Sequence, residues 1–208
     1  MLKNGFVVGC PRTREAILID PGDEVDGLLA AVGELKVDVQ AILLTHAHFD
    51  HVGGVAAAKR ALDVPVYLHP DDLFLYERAP KQAAIFGLPM EPQPPIDVFY
   101  DGTPIHFGDY EVLVHHTPGH APGEVCLQVG PKGEPGRHLF VGDSLFAGSI
   151  GRTDLPGGDY AQLMRSILQV IFPLGDDAVV HPGHGPDTSV ARERATNPFV
   201  LDYLARPR

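Results

Sequence analysis

Residues 45 to 51 read Thr45-His46-Ala47-His48-Phe49-Asp50-His51, which crowds three imidazoles and a carboxylate into one short string. Imidazole nitrogen and carboxylate oxygen are the donors of zinc, iron and manganese sites. His46 and His48, two positions apart, can converge on one ion, while Asp50 and His51 turn toward a second. The run before them, Val39 to Leu44, is apolar and β-branched like a buried strand. The alanine-rich run after them, Val52 to Leu62, reads as a helix, so the motif sits on a strand-to-helix loop. Gly53 and Gly54 each disfavour a helix by about 1 kcal/mol relative to alanine, which points to a close backbone approach there.

A two-metal site needs further donors, and the chain supplies them at three more strand ends. His120 lies in the Pro/Gly-punctuated string His116-Thr117-Pro118-Gly119-His120, after the strand-like run Glu111 to His115. Asp143 ends the short apolar run Leu139 to Gly142. His184 follows Ala178 to Val180 in His181-Pro182-Gly183-His184-Gly185. Divided evenly, His46, His48 and His120 hold one ion and Asp50, His51 and His184 the other, with Asp143 bridging. Three protein ligands per ion and a shared carboxylate leave room for a bridging hydroxide.

This order and spacing resembles the metallo-β-lactamase superfamily, and within it the glyoxalase II-like (hydroxyacylglutathione hydrolase-like) branch, over nearly the whole chain. Supporting strings are Glu15-Ala16-Ile17-Leu18-Ile19-Asp20-Pro21-Gly22, Thr117-Pro118-Gly119-His120, and the run from Gly142 to Asp154. The resemblance implies an αβ/βα sandwich, two sheets between outer helices, with the site at one sheet edge. Unaided, the sequence supports mixed α/β. A single domain over residues 1–208 is expected, without the C-terminal helical extension of full-length glyoxalase II.

A hydroxide bridging two divalent ions is a nucleophile at neutral pH, because a bound metal lowers the pKa of water from about 15.7 toward 7. Asp50 then anchors the second ion and orients the hydroxide, so Asp50 and Asp143 are the candidate catalytic residues. With no dedicated general acid evident, good leaving groups are favoured, and a thiolate with a parent pKa near 8.5 departs unprotonated. A thioester such as S-lactoylglutathione fits, and the glyoxalase II branch cleaves such esters. The rival reading is a persulfide dioxygenase, whose family binds one iron through residues matching His46, His120 and Asp143. A non-catalytic metal-binding module is the third, though degeneration normally removes ligands and all seven are present. β-Lactamases proper lack, as a family, an aspartate matching Asp143. Two divalent ions per chain are expected, zinc first, with iron or manganese as alternatives, since no thiolate donor enforces zinc.

Substrate recognition is less defined. Arg152 matches a basic residue with which glyoxalase II enzymes hold glutathione and can bind a carboxylate as a fork, or it can pair with Asp154. Where the family places a tyrosine after the last histidine, this chain has Gly185-Pro186.

The 208 residues are 44% hydrophobic and 21% charged, ordinary for a soluble globular chain. Sixteen basic against twenty-seven acidic residues give a net charge of −11, which argues against a nucleic-acid or anionic-membrane partner and leaves a small-molecule substrate. Met1 to Cys10 is too short and polar for a secretory leader, and no apolar run approaches the roughly 18 residues of a membrane span, so a cytoplasmic location is expected. Oligomeric state is not legible. Cys10 and Cys126 are read as reduced thiols, Cys126 buried in a strand. Twenty prolines should stiffen the loops.

The remaining pattern predicts a strand over Val64 to His69, a helix over Asp71 to Phe86 and a stiff irregular loop from Gly87 to Ile96. An amphipathic helix over Asp159 to Phe172, capped by Asp159, and a last helix from Ser189 to Leu204 complete it. His69, His106 and His138, flanking strands, read as surface or hydrogen-bonded structural histidines. His115, His116 and His181 lie close enough to the ligand loops to orient them, and Asp20 can brace those loops or simply make a turn.

Overall fold

Two strand runs, Ala16-Ile17-Leu18-Ile19 and Ala41-Ile42-Leu43-Leu44, are apolar at every position, the pattern of strands covered on both faces. In the computed structural model, which describes residues 3–206, they are the centre of a five-stranded sheet. Its strands are β1 (Phe6–Gly9), β2 (Glu15–Ile19), β3 (Asp38–Leu43), β4 (Val66–Leu68) and β5 (Val98–Phe99), hydrogen-bonded in that order. β1 and β2 form an antiparallel hairpin, and β2 through β5 run parallel. Ala16, Leu18, Ile42 and Leu44 pack outward under three helices, α1 (Val25–Leu35), α3 (Val55–Leu62) and α4 (Leu73–Ile85), preceded in the motif loop by the single turn α2 (Phe49–Val52).

The second sheet has the order β13-β12-β9-β8-β7-β6, with β6 (Ile105–Phe107), β7 (Tyr110–His116), β8 (Val125–Pro131), β9 (His138–Gly142), β12 (Val179–Pro182) and β13 (Thr188–Ser189). A small hairpin, β10 (Leu145–Phe146) with β11 (Ser149–Ile150), stands apart from it. Ile17, Ile19, Ala41 and Leu43 from the first sheet meet Phe107, Val112, Val125, Leu127 and Phe140 from the second in one core cluster, so the sheets lie face to face. Leu139, Val141 and Val180 cover the far side of the second sheet with Leu163, Val190 and Val200 of α5 (Tyr160–Ser166), α6 (Val190–Thr196) and α7 (Pro198–Ala205). The layers are helices, sheet, sheet, helices, as the resemblance implies.

Three expected helices are interrupted, each for a local reason. The run from Val52 to Leu62 breaks at Gly53 and Gly54, where a Cβ on Gly54 would stand 2.3 Å from the Gly22 carbonyl oxygen. The run from Asp159 to Phe172 is α-helical only to Ser166 and then widens into a π turn over Ile167–Ile171, ahead of Pro173, which has no N–H to donate. Asp159 caps it as expected, accepting from Gln162 N at 2.9 Å. The run from Ser189 to Leu204 splits at Asn197, because Pro198 cannot continue the helix and Asn197 caps the next one through Phe199 N at 3.1 Å. The strand at Val64 to His69 is shorter, Val66–Leu68, and the helix at Asp71 to Phe86 begins at Leu73 after a 3₁₀ turn over Pro70–Asp72. Residues 87–96 form no regular element, as their prolines dictate. Helix α1 is an addition to the sequence reading. Cys126 is buried, and both cysteines are free thiols.

Candidate metal centre

Four loops leave the same edge of the sandwich. The loop after β3 carries His46, His48, Asp50 and His51. Those after β7, β9 and β12 carry His120, Asp143 and His184. All seven candidate donors come together. His46, His48 and His120 form one set of convergent donor atoms, and Asp50, His51 and His184 a second. Asp143 lies between them: its Oδ1 is 3.3 Å from His51 Nε2, and its Oδ2 is 3.6 Å from both His120 Nε2 and His184 Nε2. His184 Nε2 also stands 3.1 Å from Asp50 Oδ2.

Three of the histidines, His120, His51 and His46, are oriented from the far side of the ring, which fixes where the other nitrogen points. His120 Nδ1 donates to the Arg152 carbonyl at 2.7 Å, leaving Nε2 directed at His48 Nδ1, 2.8 Å away. His51 Nδ1 donates to Asp20 Oδ2 at 3.0 Å, leaving Nε2 to face Asp143. His46 Nδ1 lies 3.2 Å from Thr45 Oγ1. Among the candidate donors, the Nε2 atoms of His46, His48 and His51 and Oδ1 of Asp143 are buried without a hydrogen-bond partner. Buried polar atoms left unpaired are costly, and here His51 Nε2 and Asp143 Oδ1 stand 3.3 Å apart. A glycine lines the same space: a Cβ on Gly183 would fall 2.4 Å from Asp143 Oδ1 and 2.5 Å from His51 Cε1. The donors present therefore suit divalent metal.

Burial, then the neighbouring histidines, pushes His46 well below its ordinary value and His48 down to about 3, so both present lone pairs at neutral pH. Burial opposes charge on His51 as well, but Asp143 and Asp20 outweigh it and hold this ring up to about 10. Asp143 and Asp50, likewise opposed by burial, are held below the usual carboxylate range by the imidazoles beside them.

Three buried carboxylates brace the loops. Asp20, with its backbone in the left-handed region (φ 46°), accepts from Thr45 N at 2.7 Å and Thr45 Oγ1 at 2.5 Å besides His51. Of its two expected roles this is the brace. Asp72 accepts from Ala47 N at 2.9 Å and Gly123 N at 2.5 Å, joining the first motif loop to the His120 loop. Glu124 accepts from Asp143 N at 2.7 Å. Sequence reasoning missed Asp72 and Glu124, since each looks like a surface charge beside a turn and both bond to backbone. Helix α5 props the His120 loop through Asp159 N to the Gly119 carbonyl at 2.8 Å and Ser166 Oγ to the Pro118 carbonyl at 2.7 Å.

The other expected residues lie elsewhere. Arg152 makes a two-pronged pair with Asp154, Nε to Oδ1 and Nη2 to Oδ2 both at 2.7 Å, on an exposed surface. His115 bonds Gln128, and His181 bonds His138 and pairs with Asp187. His116 bonds the Pro122 carbonyl at 2.8 Å, so it steadies the His120 loop through that carbonyl. His69, Asp71 and His116 form another donor group, but the two rings stack at 4.1 Å and 10°. In-plane lone pairs on parallel rings run side by side and do not converge on one ion.

Residues 3–184 match the family model described as the Metallo-beta-lactamase superfamily. The chain belongs to that superfamily. Hydroxyacylglutathione hydrolase GloC of Haemophilus influenzae is 37% identical to it, over 90% of this chain and 88% of the relative. Among solved superfamily structures, that of TTHA1623 in a di-iron-bound form is 46% identical, with TM-score 0.83 over 95% of this chain and 94% of the other. The BLEG-1 B3 metallo-beta-lactamase is 37% identical, with TM-score 0.86 over the same shares. Membership makes metal-dependent hydrolysis the activity class of this superfamily protein, and the centre described above is its candidate metal-binding region. Among the described residues no helix is long and apolar enough to cross a membrane.

Proposed function

We propose that this protein is a metal-dependent thioesterase acting on a small thioester such as S-lactoylglutathione, with one divalent ion held by His46, His48 and His120, a second by Asp50, His51 and His184, and Asp143 shared. The observation that carries this reading is the Asp143 carboxylate, one oxygen toward His51 and the other toward His120 and His184. A carboxylate placed between the two donor sets can be shared by a pair of ions. Ions bound there supply a hydroxide at neutral pH and polarise a carbonyl oxygen. Zinc, iron and manganese all suit the donors, and TTHA1623 was solved with iron.

The protein's own residues do the rest. Asp50, kept ionised by His184, accepts a hydrogen bond from the attacking water and aims its lone pair at the carbonyl carbon. Asp20, Asp72 and Glu124 hold the ligand loops so that this alignment needs no rearrangement during reaction. A departing thiolate needs no proton, which suits a site whose carboxylates are held ionised. GloC, named for hydroxyacylglutathione hydrolysis, supports a glutathione thioester. Arg152 can meet a substrate carboxylate once it releases Asp154.

Thiol release from S-lactoylglutathione by the metal-loaded protein under argon tests this. A kcat/KM above about 10⁴ M⁻¹s⁻¹ is expected. Asp50→Ala should abolish turnover while the protein stays folded. No hydrolysis overturns the reading. Oxygen uptake with a persulfide by iron-loaded protein then supports the dioxygenase, for which His46, His120 and Asp143 offer a two-histidine, one-carboxylate face. Cleavage of a β-lactam without thioester turnover instead assigns the activity named for BLEG-1.

A further inference from the structure

We infer that Lys3 and Asn4 are positioning residues for the second ion, clasping together the two loops that bring His51 and His184 to it; this rests on the two-ion reading above. Those histidines come from different sheets, so their separation depends on something that spans the seam. Lys3 and Asn4 do so. Asn4 N donates to the Gly183 carbonyl at 2.7 Å, and Asn4 Nδ2 donates to the carbonyls of Pro182 at 3.0 Å and Gly185 at 2.7 Å. Lys3 pairs with His184 itself in an antiparallel β-bridge. Three carbonyls around His184 are thereby fixed by one asparagine.

The same dipeptide reaches the other sheet. Lys3 Nζ, on a side chain only 4% exposed, donates to the Asp20 carbonyl and to Glu24 Oε1 at 3.0 Å. Asp20 is the residue whose carboxylate orients His51. The space is cut to fit: a Cβ on Gly22 would lie 2.9 Å from Lys3 Cδ, and one on Gly5 would lie 2.4 Å from Glu24 Oε1. The chemistry selects asparagine, because a carboxamide has two N–H donors for the two carbonyls. Aspartate would aim oxygen at oxygen, and leucine would offer neither carbonyl a donor.

The full chain, its Asn4→Leu and Asn4→Asp variants, His184→Ala and the Asn4→Leu/His184→Ala double variant are loaded with zinc and titrated with a competing chelator. Expected is one of two ions weakened about 10- to 100-fold in either Asn4 variant, the other unchanged. The double variant should lose nothing beyond His184→Ala alone, since Asn4 acts through that loop. Hydrogen exchange at residues 183–185 in the metal-free Asn4 variants should rise, with the amides of β8 unchanged. Two ions held as in wild type, or both weakened together, overturns the inference. So does unchanged exchange at 183–185, even if wild type binds only one ion. A single ion in wild type with exchange raised overturns the two-ion reading alone and leaves the clasp standing.

Discussion

Asp72 gives both carboxylate oxygens to loop backbone, Ala47 N beside the first histidines and Gly123 N in the loop of His120. Burial pushes its carboxyl up to about 6, against the pull of those two N–H groups. A native value above the unfolded one, near 4, means that the folded protein binds the extra proton between these limits. Stability from this group is therefore full below about pH 4 and declines as pH rises through about 6. Urea unfolding of metal-free wild type and Asp72→Asn from pH 4 to pH 7 should show wild type losing on the order of 3 kcal/mol relative to the variant. A pH-independent difference would rule out this assignment. Asp72→Ala should cost about 1–3 kcal/mol for each N–H left unpaired. That the seven candidate donors would converge was legible in the sequence, because their chemistry resides in residue type and spacing. Asp72 and Glu124 were not, because the partner of each is a backbone N–H that any residue could supply.

At the level of elements, glycine decides what may approach what. Gly27 and Gly33 lie in α1 with open space where a Cβ would go. Alanine at either should stabilise the protein by about 0.5–1 kcal/mol in urea unfolding, through helix propensity alone. Gly54 is the opposite case, since its Cβ would meet the Gly22 carbonyl oxygen at 2.3 Å and Val25 Cβ at 2.5 Å, prising α3 from the turn before α1. Gly54→Ala should destabilise by about 1–3 kcal/mol, and an equal gain at all three positions would show that propensity, not packing, governs them. The strands and the break-prone loops were readable from apolar runs and prolines. Helix ends were not: hydrophobic periodicity continues across Ser166 and Asn197, while Pro173 and Pro198 end the hydrogen-bond pattern earlier.

Across the whole molecule, the first sheet supplies His46, His48, Asp50 and His51 through the loop after β3, and the second supplies His120, Asp143 and His184. Each of the two donor sets thus draws on both sheets. That division was half visible in the sequence, where donors cluster at strand ends in both halves, but the face-to-face docking that unites them follows from the shared core of Ile17, Leu43, Leu127 and Phe140. Ions bridging the seam would bind the docked protein and not the unfolded chain, so they should stabilise it by mass action, about 4.1 kcal/mol for free metal at a thousandfold its Kd. Removing metal should accordingly lower the melting temperature, and adding it back should restore it in proportion to log concentration. His184→Ala should shrink this metal-dependent shift, measured for each protein against its own metal-free form, since the substitution takes away one of the second set's donors. Calorimetry with and without chelator, with bound metal counted in the same samples, makes the comparison. If the protein melts at the same temperature with its ions demonstrably gone, the sheets are held by their apolar core alone and the ions lie to one side of the seam.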